Sequence, residues 1–238
     1  MNAREKENEK QPDVQQNENG SADLIRELGL ALPGTGFESD LQYISIIGSI
    51  EGHIELPVQN KTTKYEHLIP QLIAVEENPK LRGLLVILNT MGGDVEAGLA
   101  LAEMIATLSK PTVSLVLGGG HSIGIPLATA TDYSFIAGTA TMTLHPIRTT
   151  GLVITAETTF DYMRKTQDRV IDFIAGHSRA TRKRVTELMN CSDNMSNDVG
   201  TILFGKEAVD AGIIDAVGGV SQALGELRRR VAKVDELE

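Results

Sequence analysis

The chain has no tryptophan, a single cysteine and few basic residues, and each shortage excludes something. With Cys191 alone, no intrachain disulfide can form, which suits a reducing compartment. Only 22 Lys and Arg stand against 32 Asp and Glu, a net charge of −10, which argues against nucleic acid or anionic lipid as the main partner. Nowhere is there an apolar run of the roughly 20 residues that a bilayer span needs. The first 21 residues carry Met1, Ala3 and Val14 as their only apolar side chains, so no secretory leader is legible. A cytoplasmic protein is expected.

At 238 residues and 41% hydrophobic composition, one domain of ordinary size is expected. Residues 1–21 read as a disordered polar tail, rich in Glu, Lys, Gln and Asn. Residues 22–40 form a short amphipathic connecting segment stopped by Pro33-Gly34, and residues 41–238 form the folded domain. Within that domain β-type and α-type patterns alternate. "YISIIGSI" (43–50), "GLLVILNT" (83–90) and "TVSLVLG" (112–118) read as strands, the second buried on both faces. Helices are expected at 64–78, 94–109 and 122–131, with one or two short strands over 133–145. One long helix is expected over 155–188, with Tyr162, Val170, Phe173 and Ile174 on one side, serving either as an oligomerisation arm or as a core helix. A helix and short strand over 205–217, turning at Gly212, and a charged C-terminal helix complete the pattern. The fold class is α/β with a mainly parallel core.

Two glycine turns follow buried strands: "NTMGGDV" (89–95) and "GGGHSIG" (118–124). Ligands of open α/β sheets bind at such strand ends, and the first N–H groups of the helices that follow can serve developing negative charge. Close strand–helix packing would also account for the glycines. The second turn contains Ser122 in a G-x-S-x-G pattern, which exposes a nucleophilic hydroxyl when the turn is strained. Serine needs a base to take its proton. His53, His67 and His177 lie in polar settings, and His121 adjoins the serine on a diverging direction. His145 ends the apolar run "TATMTLHP" and is the candidate base. A carboxylate to hold its tautomer is offered by Asp193 or Asp198 in "NCSDNMSNDVGT" (190–201).

This ordered set, "NTMGGDVEAGLALAEMI", "GGGHSIG", "MTLHP", a long helix and "GKEAVDAGIIDAV", resembles the ClpP peptidase family over residues 42–217, and more narrowly its divergent translocation-enhancing subgroup. The resemblance implies a ClpP/crotonase-like repeated ββα superhelix with a long handle helix. It implies a serine endopeptidase with Ser122 as nucleophile, His145 as base, Asp198 as acid with Asp193 behind it, and the N–H groups of Gly93 and Ile123 as oxyanion hole. Gly92, Gly151 and Leu152 would bind peptide substrate in extended form. A homo-oligomeric ring, an AAA+ unfoldase as partner, no cofactor, no metal and a link to protein quality control or secretion belong to the same implication. The pattern departs in three places. The family's acid spacing lands on Gly200, two residues past Asp198; Met91 replaces a proline; His121 replaces a small residue. A ring-forming scaffold with impaired catalysis is the alternative reading, and a crotonase-type acyl-CoA enzyme a weaker one. A classical α/β-hydrolase is disfavoured because no histidine follows the 190s loop. The presence of His145 disfavours a Ser–Lys dyad.

Overall fold

The structure is a computed structural model that describes residues 39–148, 155–192 and 198–236. The polar tail, the connecting segment up to residue 38, Gly151, Leu152 and Asp193 lie outside the described residues.

Eight strands and seven helices follow one another among the described residues: β1 Leu41–Glu51, β2 Thr62–Lys64, α1 Tyr65–Glu77, β3 Gly83–Gly93, α2 Val95–Ala106, β4 Thr112–Gly120, α3 Gly124–Thr129, β5 Tyr133–Ile136, β6 Thr141–Leu144, α4 Ala156–Gly176, α5 Arg182–Met189, β7 Thr201–Phe204, α6 Gly205–Asp210, β8 Ala216–Val217 and α7 Val220–Asp235. The main sheet runs β2-β1-β3-β4-β5-β8. Its pairings are all parallel. β6 leaves that path: it pairs with β4 at Gly119↔Thr141 and runs antiparallel to β7.

The strands alternate which face they bury, as the period of two requires. Ile44, Ile46, Val86 and Leu88 join a cluster with Leu101, Ile105 and Leu127 from the helices of one face. Leu85, Val113, Leu115 and Phe135 pack on Ala223 and Leu227 of α7 on the other. Burying a leucine side chain in such a core is worth about 1.5–3 kcal/mol. α7 leaves part of its face bare, where Tyr43, Ile47 and Leu117 are exposed.

Two local expectations change. The helix expected over 155–188 is interrupted: α4 ends at Gly176, and α5 begins only after Thr181, whose hydroxyl accepts from the Arg184 N–H at 3.2 Å. The Thr181 cap starts a new helix where the periodicity suggested a continuous one. Within α4, Val170, Phe173 and Ile174 are buried, whereas Tyr162, which shares their side by its spacing, is 62% exposed. β7, four residues long, was not expected; it is held because Thr141–Leu144 offers an edge for antiparallel pairing.

Candidate functional site

β4 ends where its glycines let the chain turn sharply into α3. Ser122 sits in that turn with φ of 56°, the only non-glycine residue with positive φ among the described residues. Such a conformation costs on the order of 1 kcal/mol and persists only where neighbours over-determine it. Here they do. The Ser122 N–H donates to Thr143 O at 2.8 Å, His121 N–H to Thr90 O at 3.1 Å, Gly124 N–H to His121 O at 2.8 Å and Ile125 N–H to Ser122 O at 3.0 Å. The Ile123 N–H, between these engaged neighbours, makes no such hydrogen bond among the described residues. The Ile123 side chain, 2% exposed, is anchored in the core, so the free donor is rigidly aimed.

The second turn closes β3. Gly92 has φ of 91° and Gly93 φ of 154°, values that L side chains rarely adopt. A Cβ on Gly93 would lie 2.2 Å from Ile50 O, and one on Gly92 would lie 2.7 Å from Ser122 Cβ. The bare Gly92 backbone therefore fronts the serine directly. Thr90 ties this turn down: its hydroxyl donates to Gly48 O at 2.6 Å and accepts from the Gly92 N–H at 3.0 Å. Asp94 then caps α2, accepting from the Ala97 N–H at 2.8 Å.

His145 follows β6 immediately and lines one small cavity with Ser122, Ile123, Val95, Ile147 and Ile174. Its volume of about 10 Å³ is close to the space of a single water. His145 Nδ1 lies 2.7 Å from Pro146 O, and a carbonyl only accepts, so Nδ1 carries the proton and Nε2 the lone pair. That is the tautomer a general base needs. Ser122 Oγ and His145 make no hydrogen bond to each other in this arrangement.

Asp198 stands elsewhere. Its carboxylate pairs with the Arg148 guanidinium and accepts from the Val199 N–H at 2.8 Å. Gly200, where the family spacing falls, lies against His145: a Cβ there would be 3.0 Å from His145 Cβ and 2.2 Å from Leu144 O. With φ of 141° as well, position 200 has no room for an acidic side chain, and Asp198 is two residues upstream. His53 and His177 do not line this cavity. His53 packs edge-on against Tyr65, and His177 stacks on Phe173 at 4.1 Å.

Three participants were not picked out from the sequence. Thr90 and Thr143 hold the two turns, and Arg148 pairs with Asp198. Thr143 could have been found, since it lies two residues before His145 and so shares its side of the strand. Arg148 could not, because its partner is 50 residues away.

Comparisons with known proteins bear on the fold and the family. The Translocation-enhancing protein TepA of Halalkalibacterium halodurans is 52% identical over 223 residues, covering 94% of this chain and 87% of that protein. Among solved structures, a ClpP1 mutant from Listeria monocytogenes superposes with a TM-score of 0.62 at 19% identity, covering 76% of this chain and 94% of the other, so the fold is ClpP-like. The sequence profile of the Clp protease family matches residues 39–221, and the chain belongs to that family.

Proposed function

We propose that this chain is a serine endopeptidase that cleaves peptides or unfolded polypeptides. One observation carries the reading: a serine held in a strained strand-to-helix turn lines the same cavity as an imidazole whose Nε2 is free to accept a proton. Ser122 Oγ attacks the scissile carbonyl while its proton passes to His145 Nε2. The oxyanion that forms is met by the N–H groups of Gly93 and Ile123. The proton then moves from His145 to the leaving amine, and water repeats the sequence to release the acid and restore Ser122. In this reading Asp198 exchanges Arg148 for His145 Nδ1 when the site becomes productive. Extended substrate binds along Gly92, Gly151 and Leu152 by main-chain hydrogen bonds. The family relationship favours a homo-oligomeric ring in the cytoplasm, with an AAA+ unfoldase as the feeding partner and a role in quality control or secretion. No described helix is long and apolar enough to cross a membrane.

The second reading is a ring scaffold with impaired catalysis. The Asp198–Arg148 pair and the His145–Pro146 bond favour it, since together they leave the acid and the base apart. Labelling with a fluorophosphonate probe separates the two. The native chain becomes labelled and Ser122→Ala does not, if Ser122 is an activated nucleophile. Labelling that persists in Ser122→Ala would refute the assignment, and an unlabelled native chain would favour the scaffold.

A further inference from the structure

His121 departs from the small residue that the resemblance led us to expect before the serine, and its surroundings give it work. Its Nδ1 is 2.9 Å from Thr143 Oγ1. The same Thr143 accepts the Ser122 N–H through its carbonyl at 2.8 Å. Thr143 therefore grips the nucleophile turn twice, once through the main chain and once through the His121 ring, two residues before His145. The ring lies over Gly119, where a Cβ would come within 2.6 Å of Nε2, so only glycine in β4 leaves it this space. The His121 backbone also bridges the two glycine turns through its N–H to Thr90 O at 3.1 Å.

We propose that His121 is a positioning residue: a neutral imidazole wedged between Gly119 and Thr143 that bolts the end of β6 to the nucleophile turn and so sets where His145 stands relative to Ser122. The inference rests on the peptidase reading for its consequence but on geometry for its content. Neutrality matters because the acyl-transfer step places a positive charge on His145. Around the ring, β3 contributes Thr90, β4 Gly119 and β6 Thr143, none of which titrates near neutrality; His145 is the titratable neighbour whose charge reaches it. Partial burial first, and the His145 charge second, hold the His121 imidazole below its ordinary value. Both effects disfavour a positive charge on this ring beside a charged His145.

Two measurements on the full chain test this. In the first, the rate of fluorophosphonate labelling is compared for the native chain, His121→Ala, His121→Asn, Thr143→Val and the double variant His121→Ala/Thr143→Val. Misplacing a reacting group by about 1 Å costs on the order of 10²-fold, so each disruptive single variant should lose about 10- to 100-fold. The double variant should lose no more than either single, because both remove one strut. His121→Asn, which keeps a side chain able to bond Thr143, should recover most of the rate. In the second, the histidines are titrated by NMR, which needs no activity. His121 should titrate below the usual histidine range, and its midpoint should rise in His145→Gln. Native labelling unchanged in His121→Ala would overturn the proposal, as would multiplying losses or a His121 midpoint indifferent to His145→Gln. A native chain that is never labelled would refute the peptidase reading alone and leave the titration to decide the placement of His121.

Discussion

The two sides of the cavity are built in opposite ways. On the nucleophile side, the turn that holds Ser122 is fixed by main-chain hydrogen bonds of His121 to β3 and of Ser122 to β6, and the neighbouring Ile123 is 2% exposed. On the acid side, Asp198 is held by an exposed arginine, the two side chains being 40% and 55% accessible. Main-chain bonds in a buried setting are costly to break, whereas exposed ion pairs are worth only about 0–1 kcal/mol. Under the peptidase reading, nucleophile and oxyanion geometry are preset in this fold, while the proposed acid, Asp198, occupies a position that can be exchanged at little cost.

The largest effect that would test this contrast is at Asp198. Asp198→Asn should lower the rate of peptide hydrolysis by up to about 10⁴-fold if the acid joins His145 during turnover. A loss of threefold or less, measured by steady-state kinetics on a fluorogenic peptide, would mean that the Pro146 carbonyl alone orients the imidazole. Arg148→Gln is the next in size. Freeing Asp198 should raise the labelling rate several-fold, while thermal denaturation shifts by no more than about 1 kcal/mol, as expected for an exposed pair. A fall in rate would show that Arg148 serves the productive site. The smallest effect is Ser122→Gly, which removes the left-handed strain and should stabilise the chain by about 1 kcal/mol in chemical denaturation, in contrast to Ser122→Ala, which keeps the strain. Equal stability of the two variants would mean that the turn is unstrained.

Much of the fold could be read ahead because its signals are local. "GLLVILNT" and "TVSLVLG" are apolar runs of strand length, and they became β3 and β4. The glycine turns were legible because few other reasons exist for such residues at strand ends. What could not be read depends on partners distant in sequence. "TILF" is too short to announce a strand and is one only because β6 offers its edge. The α4–α5 break hides among residues that favour helices on both sides, and a single threonine decides it. In the site, Ser122 was singled out by its G-x-S-x-G turn and His145 by its place at the end of an apolar run, and both line one cavity. The pairing of Asp198 with Arg148 and the bond of His121 to Thr143 are long-range side-chain choices with no periodic trace.

The strands that end the order of the main sheet are short, and β2 pairs with only Ser49–Glu51 of β1. At one flank stands β2, three residues ending in Lys64, and at the other β8, two residues long. Long, flat margins invite foreign strands and seed aggregation; short edge strands, and a lysine such as Lys64 on one of them, blunt that tendency. Under the peptidase reading, an extended client is thereby steered away from those two short flanks.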